Sequence, residues 1–444
     1  MLYSWINNRR SIIFAFSIDL VLILIFHLNK SILYKSFFLL PSDLFFLISW
    51  STLSYIVGRY HRMHYKDFFG NIILIIKTIM ISAFIYILKF IIFSFNISLV
   101  NDIKSIILNL ILFLVFSLLS NIIIYSFFLL YKDKELKVRN WLFIGNQKLF
   151  KSLIKYTEYR KIIPKINFCS ESNLDILNTL PKNTGLIFDY NSDLKNEQID
   201  NLFRLKLEGV EILSLLSYCE KYLQSYPPEL LDNKDLLLES FFNTYSTLDM
   251  RMKRCFDIIL SLLLIIITLP IIFTVSLLIF IEDNGSILYS QKRRGIYGSE
   301  FTIYKLRTMK VNAEKNGPQW STNNDSRVTR IGSILRKTRI DELPQLWSVF
   351  LGQMSLIGPR PERPILEDPL IKHIQHYRLK YLIRPGISGW AQVNFPYGAS
   401  TNDSMVKISY DLYYIRNFSF LLDILIFFKT IRLLCNLQGS EPLK

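Results

Sequence analysis

Apolar residues in this chain form long unbroken runs at its start and shorter, punctuated segments afterwards. Four runs, at about 11–28, 37–57, 71–95 and 103–130, are each near or above the ~20 residues an α-helix needs to cross a hydrocarbon core. The first follows Arg9-Arg10 and has no small-residue cleavage site before Asn29-Lys30, so it reads as a retained anchor. Lys77 and Lys89 interrupt the third run; they mark function or snorkel to an interface, and snorkelling suits Lys89 near the run's end. From about 138 to 248 the pattern becomes that of an α/β unit. Trp141–Ile144, Leu186–Phe188 and a segment near Val210–Leu213 predict short buried strands with helical segments between them. Gly145 follows the first strand, but Ile144-Gly145-Asn146-Gln147 lacks a GxGxxG pattern, so a degenerate Rossmann-like domain is expected.

Phe256–Ile281 is apolar enough to span a membrane, yet Pro270 lies in its middle, where it removes a helical hydrogen bond and clashes with the preceding turn. Both flanks are basic, with Arg251, Lys253 and Arg254 before and Lys292, Arg293 and Arg294 after. A full crossing would put one cluster outside. A re-entrant hairpin over 256–281, bent at Pro270, keeps both on one face. Residues 286–306 alternate at Ile287/Tyr289 and Phe301/Ile303 around Gly295 and Gly298, predicting a β-hairpin that delivers Arg293 and Lys305 from two strands. Phe418–Leu437 is apolar but carries Asp423, Lys429 and Arg432, which favours an interfacial amphipathic helix over a further span.

Charge adds topology. The 58–67 loop carries Arg59, Arg62 and Lys66, and Lys132, Lys134, Lys137 and Arg139 follow the fourth run. Loops 29–36 and 96–102 are poorer in positive charge, so both ends of the helical bundle are expected in the cytoplasm. Across 444 residues, 51% apolar, 52 Lys and Arg face 36 acids, a formal +16. With such long apolar runs, that balance fits anionic lipid surfaces and phosphorylated substrates better than nucleic acid. Cys169, Cys219, Cys255 and Cys435 are scattered without a CxxC, suggesting reduced thiols and neither zinc nor a disulfide framework. His61 with His64 and His373 with His376 lack a nearby Cys or acid cluster and read as surface or interfacial. Trp347 and Trp390 suit either interface or core.

The chemistry concentrates in TRIGSILRKTRIDELPQLWSVFLGQMSLIGPRPER, Thr329 to Arg363, where the adjacent acids Asp341-Glu342 sit among Arg330, Arg336, Arg339, Arg360 and Arg363. Asp341 is placed to cap a helix running to Gly352, with Pro344 in its first turn. There the helix dipole would keep it ionised, as a carboxylate nucleophile requires, and would welcome phosphate. Glu342 could hold a Mg²⁺ whose other ligands are substrate phosphates and water. An ordinary capping acid with a first-turn Glu is the bland alternative, but flanking arginines, suited to bidentate phosphate contacts, exceed what a cap needs.

Residues from about 250 to 437 resemble the bacterial sugar transferase family, the monotopic polyprenyl-phosphate phosphoglycosyl transferases. Six ordered motifs carry the likeness: KRCFDIILS (253–261), YSQKRRG (289–295), YKLRTM (304–309), RIDELPQLW (339–347), MSLIGPRPE (354–362) and RPGISGWAQV (384–393). Longer members carry an α/β domain beforehand, and YCEKYLQSYPPELL (218–231) resembles the segment that follows it. The apolar runs and the α/β pattern predict a four-helix transmembrane domain at 1–132 and a Rossmann-like cytoplasmic domain at 133–249, and the resemblance implies a mainly α monotopic catalytic domain at 250–444. It also implies the reaction: Asp341 attacks the sugar-bearing phosphorus of a UDP-sugar and expels UMP, then undecaprenyl phosphate attacks the phospho-aspartyl sugar. Glu342 matches the Mg²⁺-associated acid. By match and chemistry, Arg293, Lys305, Arg307, Arg336, Arg360 and Arg384 are the candidates to neutralise phosphate, Arg360 ahead of Arg307; surface charge facing anionic lipid is their plainer role. A hexose from UDP-glucose or UDP-galactose is expected, for exopolysaccharide, capsule or O-antigen, although the motifs do not encode the sugar. Membrane lipids are implied partners, and homo-oligomerisation is left open. A transporter would need more intramembrane ionisable residues than Lys77 and Lys89, and some sign of repeats. A decayed scaffold would not keep Asp341-Glu342 and the arginine motifs intact.

Overall fold

The structure, a computed structural model, describes residues 9–33, 41–60, 68–93, 99–130, 140–158, 165–169, 184–189, 196–233, 236, 247–283, 285–311, 313, 325–395 and 400–435. His61, His64, Arg62, Lys66, Lys132, Lys134, Lys137 and Arg139 lie outside the described residues, as does the side chain of Lys89. Two compact units divide the chain, Met1–Lys137 and Val138–Lys444.

The first unit is four apolar helices, α1 (Arg10–Leu33), α2 (Pro41–Val57), α3 (Phe68–Phe93) and α4 (Leu99–Leu130). Phe46, Trp50, Ile81, Ile85 and Phe113 form one core, with the Phe113 ring edge-on to Phe46 and Trp50 at 4.6 and 4.7 Å. Arg59 corrects the loop-charge expectation. It follows α2 but is 1% exposed, and its guanidinium pairs with Asp19 of α1 at 2.6 Å and donates to Asn121 of α4. Asp19 also accepts from Trp50 Nε1, Tyr60 and Ser120. A charge lying two residues past a helix end reads as solvated loop, and an aspartate within an apolar run attracts no notice until a cation on another helix meets it. Both charges are answered by protein groups rather than left to a cargo.

In the second unit β1 (Asn140–Ile144), β2 (Lys165–Cys169), β3 (Thr184–Phe188) and β4 (Ile212–Ser214) make a parallel sheet in the order β2-β1-β3-β4. The four residues of β1 after Asn140 are all buried, as a parallel strand covered on both faces should be. Helices α5 (Gln147–Glu158) and α6 (Asn196–Leu207) alternate with the strands. β2 carries no strand signature in the sequence, since KINFC opens on lysine and has a polar Asn167 at its centre. Beyond β4 the chain forms α7 (Leu215–Tyr218), a π-turn at Cys219–Leu223 and a 3₁₀ turn at Pro228–Leu230.

Next comes α8 (Thr247–Asp283), 37 residues long. Among the described residues, its stretch Leu248–Asp283 is the one helix long and apolar enough to cross a membrane, by length and composition. Helical backbone continues through Pro270, from Thr247 to Asp283. Thr268 and Thr274, on either side, donate to carbonyls of their own helix, Leu264 for the first and Pro270 and Ile271 for the second. Both ends of α8 are fastened to the rest of the unit. Lys253 pairs with Asp423 at 2.6 Å and donates to the Ile357 carbonyl, while Val275 and Ile279 pack with Leu306 and Leu335. From 262 to 274 no side chain is buried.

The hairpin follows as expected: β5 (Leu288–Arg294) pairs antiparallel with β6 (Glu300–Leu306), with Tyr289 opposite Lys305 and Arg293 opposite Phe301. Then come α9 (Arg330–Thr338), a 3₁₀ turn at Ile340–Glu342, α10 (Gln345–Leu351), β7 (Ser355–Ile357), α11 (Pro364–His373), β8 (Gly386–Ser388), α12 (Trp390–Asn394), α13 (Thr401–Arg416) and α14 (Phe420–Cys435). Trp390 proves to be core at 0% exposure, whereas Trp347 on α10 is 53% exposed. No disulfide links the four cysteines.

Candidate active site

Asp341 is not a helix cap. It lies in the 3₁₀ turn between α9 and α10, and α10 starts only after Pro344. The turn exists because Arg339, which closes α9, adopts a left-handed conformation with φ of 56°. Such a conformation is strained for a side-chain-bearing residue, and strain of this kind concentrates at functional sites. It swings Asp341 and Glu342 under β6, both about nine-tenths buried.

The two acids meet different surroundings. Glu342 Oε1 accepts from Lys305 Nζ and from the Arg360 guanidinium, each at 2.8 Å, and Oε2 lies 3.7 Å from Arg339. This cationic shell holds its carboxyl well below the usual range despite burial. The Asp341 carboxylate has no hydrogen bond or ion pair among the described residues. Burial, then repulsion from Glu342, push its pKa up to about 6, and Lys305, Arg336 and Arg360 limit the rise. The dipole argument from sequence therefore gives way to another: Asp341 is ionised at neutral pH because cations surround the pair. The pH dependence follows. Activity that needs ionised Asp341 should fall as pH drops through about 6, not through the ordinary range near 4. A pH profile of kcat/KM for the free protein checks this, and an acid limb near 4 contradicts it.

Of the six basic candidates, Lys305 and Arg360 reach the acids directly. Arg336 stands close enough to influence Asp341 and donates to Thr308 at 2.9 Å. Arg293 lies one layer back, donating to the Pro361 carbonyl and pairing with Glu362 at 3.5 Å. Two are engaged elsewhere. Arg307 is paired with Asp283 at the end of α8, and Arg384 donates to the Gly352 carbonyl at the far end of α10. Arg254 also donates to the last carbonyls of α10, so that helix end is held by two guanidiniums. Sequence reasoning left Arg339 out of its candidates; its place three residues before Glu342 on a turn was the available signal.

Arg360 is aimed by backbone packing. Gly358 N–H donates to the Ser388 carbonyl and Gly386 N–H to the Pro359 carbonyl, clamping the Gly-Pro-Arg-Pro turn against β8. A Cβ on Gly386 would come within 2.1 Å of the Gly358 nitrogen, so the two backbones can approach only as glycines. Gly386→Ala should therefore displace Arg360 and cost about 1–3 kcal/mol of stability, read by thermal unfolding together with turnover. An unchanged melting point with full turnover contradicts this packing account.

Asp341 thus lies buried near Lys305, Arg336 and Arg360, with no hydrogen bond or ion pair among the described residues. The profile of the bacterial sugar transferase family matches residues 248–436. The chain is 45% identical over 189 residues to UDP-N-acetylgalactosamine-undecaprenyl-phosphate N-acetylgalactosaminephosphotransferase of Aeromonas hydrophila, covering 43% of this chain and 45% of that protein. It is 37% identical over 182 residues to UDP-glucose:undecaprenyl-phosphate glucose-1-phosphate transferase of Escherichia coli, covering 40% and 39%. To the exopolysaccharide production protein ExoY of Sinorhizobium fredii it is 36% identical over 203 residues, covering 42% of this chain and 87% of that protein. The chain belongs to the bacterial sugar transferase family. It spans less than half the length of the first two relatives.

Proposed function

We propose that this protein transfers a sugar-1-phosphate from a UDP-sugar to undecaprenyl phosphate, releasing UMP, as the first membrane step in making an exopolysaccharide, capsule or O-antigen. The observation that carries the proposal is the Asp341 carboxylate, without a hydrogen bond or ion pair among the described residues, beside a Glu342 held by Lys305, Arg360 and Arg339. In the first step an Asp341 oxygen forms a bond to the sugar-bearing phosphorus, and the bridging oxygen leaves with UMP. In the second, an oxygen of undecaprenyl phosphate attacks the same phosphorus and returns the Asp341 carboxylate. Anionic reactants repel a carboxylate nucleophile, so Lys305, Arg360 and Arg336 are assigned the neutralising role. Glu342 Oε2 is a hard oxygen donor that fits Mg²⁺, which takes one or two carboxylates along with phosphate oxygens and water. Bound there, Mg²⁺ would add charge neutralisation on the phosphates.

The relatives named for N-acetylgalactosamine and for glucose support a hexose or N-acetylhexosamine donor. We place the active site on the cytoplasmic face of a bacterial inner membrane, with α1–α4 as transmembrane helices and the parallel sheet as a Rossmann-like domain. The fastened ends and unburied middle of α8 support a helix that dips into the bilayer and returns. The test is UMP release from a panel of UDP-sugars by the full chain in lipid, with Mg²⁺ and undecaprenyl phosphate. One or two donors should work. No release from any donor by folded protein contradicts the proposal.

A further inference from the structure

The family match begins at residue 248, yet the segment before it, 218–231, is built into the catalytic block. Tyr226 is 0% exposed, and its backbone N–H donates to the Ser409 carbonyl of α13 at 2.8 Å. Its ring lies 5.8 Å from that of Tyr413, which stacks on Trp390 at 5.6 Å, and Trp390 Nε1 donates to the Gln224 carbonyl at 3.0 Å. Gln224 is buried and left-handed, with φ of 51°, directly after the π-turn. Glu220 accepts from the Tyr226 hydroxyl and lies 3.8 Å from Arg416, whose guanidinium sits over the Tyr226 ring. Strained and irregular backbone persists only where its surroundings hold it, and here Ser409, Tyr413, Arg416 and Trp390 of α13 and α12 hold it together with Trp141 and Glu211 of the sheet domain, which contact Tyr218, Lys221 and Tyr222.

On α13, Ser409, Tyr413 and Arg416 recur at helical spacing and form the face that meets this strap. Lys407 and Asp411 lie two residues from Ser409 on either side, which puts them on the opposite face. That face meets the charges behind the active site. Lys380, Arg293, Arg360 and Lys407 all act on Glu362, and Arg293 pairs with Glu362 at 3.5 Å beside the Pro361 that follows Arg360. We infer that residues 218–231 form a strap that sets the position of α13, with Tyr226 and Trp390 as positioning residues acting on Arg360 through Lys407, Glu362 and Arg293. The strap would thereby tie the parallel-sheet domain to catalysis. The kinetic half of this inference rests on the proposed transferase reaction; the structural half does not.

The test uses the full chain in lipid and reads two quantities, amide hydrogen exchange across α13 and the kinetics of UMP release. Tyr226→Ala removes the ring, whereas Trp390→Phe removes the donor to Gln224 and part of the ring but keeps an aromatic side chain against Tyr413, a milder change that guards against a variant that fails to fold. Both should speed exchange in α13 and lower kcat, by on the order of 10- to 100-fold for Tyr226→Ala. Donor KM should change little, and Tyr226→Phe, which keeps ring and backbone contacts, should restore both readouts. Unchanged exchange in α13 with either disruptive variant overturns the strap. Faster exchange with unaltered kcat overturns its link to the active site. If wild-type protein turns over no donor, the transferase reading has failed, and exchange alone still judges the strap.

Discussion

Asp341→Asn is expected to lower turnover by on the order of 10⁴-fold or more, as loss of a nucleophile does, while the folded protein becomes more stable near neutral pH. The two effects have one cause. Burial and Glu342 disfavour the charged Asp341, whose pKa is raised to about 6. An acid with a raised folded-state pKa holds its proton longer when folded, so its contribution to stability is full below about pH 4 and is lost as pH rises through 6. At pH 7 the ionised carboxylate therefore costs the fold something that a neutral amide of the same shape does not, about 1–3 kcal/mol. Activity assays and denaturant unfolding of wild type and variant at pH 7 check both halves. A variant that loses stability and activity together would mark Asp341 as a structural acid.

Lys253→Met is expected to have the largest effect on stability. Lys253 is 5% exposed and its ammonium bonds to Asp423 at 2.6 Å and to the Ile357 carbonyl at 2.7 Å, joining the start of α8 to α14 and β7. Removing the cation leaves Asp423 buried with the Tyr414 hydroxyl as its other bonded partner, at a cost of about 3–5 kcal/mol. The double change Lys253→Met with Asp423→Leu should recover most of that loss, because two matched apolar groups leave no buried charge behind. Unfolding in nanodiscs measures the series. A single variant within 1 kcal/mol of wild type, by the same principle, would show that the pair does not fasten α8.

Much of the site was legible because its groups are close in sequence or sit on a patterned hairpin. Asp341 and Glu342 stand out by adjacency, and Lys305 follows from the alternation of β6. Arg360 was legible from the rigid turn that holds it. What escaped depended on groups brought together from afar. Arg307 and Arg384 carry the right chemistry in the right motifs, but Asp283 and the Gly352 carbonyl take them, and no local pattern announces those partners. Arg59 was hidden in the same way by Asp19, forty residues away. At Pro270 the local rule predicts a lost hydrogen bond, and helical backbone nonetheless continues through the residue, as it can in an apolar helix with few competing backbone partners. The left-handed Arg339 decides where Asp341 points, and single-residue backbone conformation is not written in hydrophobic periodicity.

The central claim, that Asp341 becomes covalently bound to the sugar phosphate, is most directly tested without the acceptor lipid. Purified protein in lipid, with Mg²⁺ and a UDP-sugar it accepts but no undecaprenyl phosphate, should release a single equivalent of UMP. Peptide mass spectrometry should then find the sugar-phosphoryl group on the peptide containing Asp341, and later addition of undecaprenyl phosphate should discharge it. If UMP appears only when the lipid phosphate is present, and no adduct forms on Asp341, the transfer is direct and the account of this carboxylate as nucleophile is wrong.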